Sequence, residues 1–577
     1  MRMTTSWKNK LVGAVAAGAM VAGLFPMWAL GLEADTTIKV TGIDSGDTAS
    51  YYQVIQQNAS TKAWELTSAF STLDLTQTDA NKAINDALEE GSKKTTLDFI
   101  LDGIDAEEAG LIAAKAGTAT GTLEEDPAGT YSKDVDPGMY LVLVEPKSDN
   151  KDVVYKPIIV SADYDQADSA GKVSTVALPA DLATAVAKKS PITLTKTAQQ
   201  INDGSDTDAK GVAVGDTVQF TVTSAVPSYT SNFTAPVYKI SDVLTGGLKL
   251  TGESDITVEV AGYTDLAKDT DYTITGVSDT GYTVEFQESF LKRVTGAPAV
   301  TITYKATVES TAATQVNLMD NTVKLNFSNK PSDTSGQGEL TDKTRHYTFD
   351  IDGSTFGDNG GPGGDTTQNR TEEVQKIGLE ANETSEDHVK ATEYTGQKAL
   401  QGATFQLRTA AADASTALKF KNGVLDATGS ADVTSDAYGS IVMKGLDEGT
   451  YYLVETAAPD GYSFDPTPHT VVIAAQYVKD ADDNDILASY TITIDGTNAS
   501  TYTVELDANG KPKDLTESTT KITVDTNAIT TLLINKKLGI LPSTGGSGIV
   551  FYLVVGGVVA AISAYMRKQT KQMLDEA

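Results

Sequence analysis

A lysine, a carboxylic acid and an asparagine that share one apolar interior can form a covalent bond, and this sequence sets out all three once and a lysine–asparagine pair a second time. In its last third, Val374 and Lys376 fall on one face of an extended segment, and Tyr451, Leu453 and Glu455 on one face of a second. Thr531, Leu533 and Asn535 share a face of a third, because side chains alternate along a strand. Earlier, Ile192, Leu194 and Lys196 have one parity, as do Asn321, Val323, Leu325 and Phe327. A lysine or asparagine turned into a core is costly unless partnered. Desolvation lets the lysine shed its proton and become a nucleophile, and it makes Glu or Asp keep its proton. The neutral acid then polarises the asparagine carboxamide as the amine attacks, ammonia leaves, and an intramolecular Lys–Asn isopeptide bond results. Asn326 and Asn329 are alternative acceptors to Asn321, but Asn326 is off the apolar parity and Asn329 lies at the strand's end.

Strands must hold these residues, and the patterning supplies them. A middle block, residues 189–370, opens at Ser190-Pro191 and alternates through Val218, Phe220 and Val222, and again through Val300, Ile302, Tyr304, Ala306 and Val308. Such runs between Gly, Asp and Pro turns describe a β-sandwich. A third β block covers residues 371–540. Between them Asp350 to Asp365 is so rich in Gly and Asp that it reads as a loop or linker that buries nothing. The block before them, residues 35–188, is mixed. Its Thr37-Ile38-Lys39-Val40, "GMYLVLVEP" and "DVVYKPIIV" segments are extended, and Asp79 to Gly117 is rich in helix formers and expected to pack on a sheet. The fold class is mainly β: tandem Ig-like sandwich domains, the first with an added helical segment.

With a net charge of −33, phosphate-contacting clusters are missing, so nucleic acid is not an expected partner. The absence of cysteine excludes disulfides and thiolate chemistry. Asp480, Asp482 and Asn484 have calcium-loop spacing, but Asp485 and Ile486 stand where such a loop needs a turning glycine, so no metal or cofactor is expected. His346, His388 and His469 are isolated in sequence. Lys8 and Lys10 before the apolar run Leu11 to Leu30 read as a secretory signal over residues 1–34, cut after Ala34 or after Gly31. Residues 541–577 hold Leu541-Pro542-Ser543-Thr544-Gly545, an apolar run from Ile549 to Tyr565 and a cationic tail. This order of features is an address for the cell surface, with the apolar run as a transmembrane segment.

That C-terminal pattern resembles the LPXTG cell-wall sorting signal of Gram-positive bacteria. The resemblance implies that a sortase cleaves between Thr544 and Gly545 and passes the Thr544 carbonyl to an amine. "LQGATFQLR", "YYLVETAAPDGY" and "LLINKKLGILPSTGG" resemble a CnaB-type isopeptide domain, with Glu455 as its acid. The middle block resembles the isopeptide domain of backbone pilins assembled by class C sortases, and "KISDVLTGGL" implies Asp242 as the acid for Lys196 and Asn321. In such pilins a lysine of a Tyr-Pro-Lys-like motif attacks the sortase-bound subunit. Here the matching stretch is Val186-Ala187-Lys188-Lys189-Ser190-Pro191, without that Tyr and Pro, and the resemblance points to Lys188 and then Lys189.

The expected function is structural, that of a pilus backbone subunit rather than an enzyme. Its implied partners are a class C pilus sortase, a housekeeping sortase, further copies of the chain and peptidoglycan, with a tip pilin and a host receptor that the sequence does not name. Cross-links from first to last strand would keep a pull on the two ends from peeling those strands apart. The alternative is a monomeric wall-anchored adhesin that uses the same domains as a stalk.

Overall fold

Alternation of β-branched and aromatic residues becomes strand in block after block of the described residues, and the chain is mainly β. A computed structural model describes residues 37–575 other than 59, 62, 149–151, 163–183, 202–208, 313–317, 353–372, 385–387, 391–397, 481–482, 505–521, 525–528 and 539–546. Residues 1–34, the pentapeptide Leu541 to Gly545 and Lys151 therefore lie outside the described residues. The chain divides into two units. One holds the described residues up to Tyr347 together with Lys479–Ile486; the other holds Thr348–Val478 and the described residues from Leu487 on.

The first unit begins with a mixed region. Thr37–Thr41 pairs in parallel with Thr184–Val186 and antiparallel with Thr130–Asp134. A second sheet runs Trp64–Leu66, Thr48–Gln57, Gly138–Glu145, Ile158–Ala162. The expected helical stretch is three short helices, Asp79–Asp86, Thr96–Asp102 and Ala106–Ala114. Each starts where a side chain takes an unpaired backbone N–H: Thr78 accepts from Asn81, while Thr95/Asp98 and Asp105/Glu108 form capping boxes. Ile100, Ile112 and Ala113 then pack with Val54, Ile55 and Leu141 of the sheet.

Lys189–Pro191 pairs with Val153–Tyr155 and leads into a two-sheet sandwich. One sheet orders Leu194–Gln200, Thr217–Ala225, Ala299–Val308, Leu248–Leu250. The other orders Tyr272–Ser278, Gly281–Phe286, Tyr238–Leu244, Leu318–Phe327, Gly338–Tyr347. Val218, Phe220, Val222, Ile302, Tyr304, Ile240, Val323 and Leu325 from both sheets share one core, so strict alternation aims every second residue at the facing sheet.

In the second unit, Val374–Leu379 and Ile529–Lys536 lie side by side in parallel, with Lys376 level with Leu533 and Gly378 with Asn535. Thr404–Arg408 and Gly449–Ala457 are neighbours in a longer sheet. The reading of Asp350 onward as a stretch that buries nothing is corrected for its first residues. Phe349–Ile351 is a strand paired with Met443–Leu446, and Asp350 and Asp352 are 3% and 4% exposed. The cause is local: Asp352 Oδ1 accepts from the backbone N–H of Glu373 and Val374, and Oδ2 from that of Ile441, while Glu373 Oε2 accepts from the Asp352 N–H. The remainder, 353–365, lies outside the described residues.

Ser547–Asp575 is a helix. The side chains of its first turns, through Leu553, are outside the described residues, and among the described residues no helix is long and apolar enough to cross a membrane.

Candidate functional site

The two sheets of the sandwich bring four polar side chains together in its core. Lys196 and Tyr304 come from one sheet, Asp242 and Asn321 from the other, and their residues are 6%, 1%, 1% and 0% exposed. Lys196 Nζ donates to Asp242 Oδ2 at 2.5 Å, to Asn321 Oδ1 at 2.7 Å and to the Tyr304 hydroxyl at 2.7 Å. That hydroxyl donates to Asp242 Oδ1 at 2.8 Å and accepts from Asn321 Nδ2 at 2.7 Å. The Lys196 ammonium also lies 5.4 Å from the Phe220 ring centre and 5.3 Å from that of Tyr304. Phe220 and Tyr304 are stacked cross-strand partners, so a rigid aromatic floor fixes the amine.

Burial decides the electrostatics. It lowers the Lys196 pKa to about 8, against the opposing pull of Asp242, and it raises that of Asp242 above the ordinary carboxyl value. The two shifts favour the same event, transfer of a proton from ammonium to carboxylate, which leaves a neutral amine beside a neutral acid. Asn326 is elsewhere engaged: its Nδ2 donates to Gly336 O and Glu339 Oε2.

The second unit has a three-residue version. Lys376 Nζ donates to Glu455 Oε2 at 2.9 Å and to Asn535 Oδ1 at 2.5 Å, and Asn535 Nδ2 donates to Glu455 Oε1 at 2.7 Å. All three are buried, and burial lowers the Lys376 pKa. The ring of Phe405 lies 5.3 Å below the amine. A cavity lined by Lys376, Phe405, Glu455, Asp465 and His469 adjoins the cluster. In both clusters the amine is held against its acceptor carboxamide by a hydrogen bond to Oδ1, so nucleophile and target are already side by side.

Lys188, Lys189 and Asp480 make other contacts. Lys188 is half-buried at the end of the mixed region, its backbone carbonyl accepting from the Lys156 N–H. Its pKa is lowered by burial and by the Lys156 charge. Lys189 is ion-paired with Asp44. Asp480 accepts from Arg345 and Asn484, and Asp482 is outside the described residues. Sequence reasoning missed Tyr304 as a member of the first cluster. Its inward parity was visible beside Ile302 and Ala306, and a phenol among aliphatic core residues was the available signal.

Comparison with known proteins bears on both clusters. Residues 214–331 match a family model described as Gram-positive pilin backbone subunit 2, Cna-B-like domain, and residues 388–486 match one described as SpaA, prealbumin-like fold domain. No curated protein matches the chain. Among solved structures, it is similar to the T6 backbone pilin of serotype M6 Streptococcus pyogenes, with 18% identity, a TM-score of 0.48, and 87% of this chain and 98% of that one covered. It is also similar to the major pilin SpaD from Corynebacterium diphtheriae, at 15% identity and TM-score 0.42 over 88% of this chain and 98% of that one. The major pilin subunit BcpA of Bacillus cereus is similar at 13% identity and TM-score 0.38 over 87% and 99%. Asp242, Tyr304 and Asn321 lie within the residues that match the pilin-backbone Cna-B-like model, and Glu455 within those that match the prealbumin-like one.

Proposed function

We propose that the chain is the structural backbone subunit of a covalently polymerised Gram-positive pilus, stiffened inside by Lys196–Asn321 and Lys376–Asn535 isopeptide bonds. The observation that carries this reading is that the buried lysine–acid–asparagine set occurs twice, with its acid inside each matched domain, Asp242 in 214–331 and Glu455 in 388–486. Asp242 and Glu455 act once each, on their own chain, so the protein is not an enzyme in the turnover sense.

Between subunits, a class C pilus sortase forms a thioester at Thr544, and Lys188 of the next subunit attacks it. The lowered pKa of Lys188 suits a nucleophile, whereas Lys189 is held by Asp44. Head-to-tail joining does not close on itself, so it propagates a fibre. A housekeeping sortase would pass the last subunit to peptidoglycan, a tip pilin and a host receptor being further partners. The exposed apolar residues Val554, Val558 and Ile562 of the C-terminal helix suit retention in lipid until that transfer.

The test is expression in cells with the pilus sortase. Wild type should give a ladder of SDS-resistant species, and Lys188→Ala with Lys189→Ala should abolish it. A persistent ladder in the double variant would move the nucleophile to Lys147, Lys151 or Lys156. A single wild-type band would favour the monomeric adhesin.

A further inference from the structure

The two clusters meet one requirement with different groups. When a lysine amine displaces ammonia from asparagine, the amine must lose a proton and Nδ2 must gain one before the C–N bond breaks. In the second unit a single carboxyl touches both atoms: Glu455 Oε2 lies 2.9 Å from Lys376 Nζ and Oε1 lies 2.7 Å from Asn535 Nδ2. Asp242 is one methylene shorter. Its Oδ2 reaches Lys196 Nζ at 2.5 Å, and its Oδ1 meets the Tyr304 hydroxyl at 2.8 Å. It is this hydroxyl that touches both the amine and the carboxamide nitrogen, each at 2.7 Å.

We propose that Tyr304 is a catalytic residue of the Lys196–Asn321 reaction, a hydroxyl that relays a proton from Lys196 Nζ to the departing Asn321 Nδ2. The inference rests on the isopeptide reading above. Lys196 first gives one ammonium proton to Asp242. The Nζ lone pair then bonds to Asn321 Cγ, and the carbonyl electrons move to Oδ1, leaving two protons on a cationic Nζ. Nζ passes one of these to the Tyr304 oxygen while Tyr304 passes its own proton to Nδ2. Nζ, Cγ, Nδ2, the phenol oxygen and the two moving protons form a six-membered ring. The Oδ1 electrons return, the Cγ–Nδ2 bond breaks, ammonia leaves, and it takes up the Asp242 proton. The net change is ammonium plus carboxamide to secondary amide plus ammonium, and Tyr304 ends as it began.

Burial and the adjacent Asp242 hold the Tyr304 pKa well above its ordinary value, so the phenol stays protonated and works as a carrier, not as a phenolate base. Its ring is fixed by stacking on Phe220 at 5.2 Å and by an edge contact with Tyr282 at 5.0 Å. A fixed ring keeps the hydroxyl within hydrogen-bond reach of both nitrogens.

The experiment uses the full chain, sampled at set times after synthesis, with peptide mass mapping of both cross-links. Tyr304→Phe keeps the ring and should slow Lys196–Asn321 closure roughly 10²-fold, the scale of a lost general acid–base group. Lys376–Asn535 closure in the same molecules should be unchanged. Adding Asp242→Glu to Tyr304→Phe should restore much of the rate, because the longer carboxyl can touch both nitrogens as Glu455 does. This second variant shares the phenylalanine packing, so its recovery separates hydroxyl chemistry from any folding defect. Wild-type closure in Tyr304→Phe, or a double variant as slow as the single one, would overturn the relay. Absence of the Lys196–Asn321 cross-link from wild type would instead overturn the reading beneath it.

Discussion

Lys196 is held in a pocket that makes its charge unwelcome, and that has a consequence when its acceptor is removed. In Asn321→Ala the amine stays free. Its native pKa, about 8, lies below the 10.5 of an ordinary lysine, so between those values the unfolded chain binds more protons than the native one. Stability of the variant should therefore rise with pH across that window. Thermal melts at pH 8 and pH 10 should show the variant gaining on wild type, whose Nζ would be an amide with nothing to titrate. A constant difference would mean that Lys196 is not desolvated. At this scale the sequence was informative where strands have one wet and one dry face. Asn321, Val323, Leu325 and Phe327 are all fully buried, as their parity required. It was less so at Val374–Leu379, where Glu373 and Gln375 are as buried as Lys376, so alternation alone could not single out the lysine. Tyr304 was hidden for another reason: its hydroxyl gains meaning only beside Asp242 and Asn321 of the facing sheet, which no local pattern reports.

Elements decide what a bond at each cluster would resist. Lys196 and Asn321 sit on facing sheets, so their bond would staple the sandwich through its core. Lys376 and Asn535 sit on adjacent parallel strands, so a pull on the start of the first and the end of the last slides the strands along each other. The peeling expected from sequence order gives way to shear, because the register is parallel. The Asp352 carboxylate locks the entry to the first of these strands through three backbone N–H groups. Asp352→Ala leaves those donors buried without partners, and opening of Phe349–Ile351 and Val374–Leu379 should become easier by about 2–4 kcal/mol. Native-state hydrogen exchange reads this directly. Slow exchange in Leu318–Phe327 should persist, and wild-type protection of all these strands would refute the locking role. Gly and Asp content had marked this segment as non-structural, since composition does not say which aspartate finds three backbone donors.

For the whole molecule, the β architecture was legible because alternation recurs in block after block, and the helical insert because Asp79 to Gly117 is rich in helix formers; its caps at Thr78, Thr95 and Asp105 emerged only in the structure. The division of the chain was less so: Lys479–Ile486 groups with the first unit although its neighbours on both sides belong to the second. A backbone subunit under load needs each unit closed before it joins the fibre, since an open unit would lengthen under a force that the covalent links transmit. The central claim is therefore that a chain made without any sortase already carries both internal bonds. Intact-mass measurement of residues 35–537 tests this most directly. The account predicts a mass lower than the sequence by two ammonia molecules, about 34 Da by the stoichiometry of amide exchange, with Asp242→Ala and Glu455→Ala each restoring about 17 Da; a wild-type mass equal to that of the unmodified chain would contradict it.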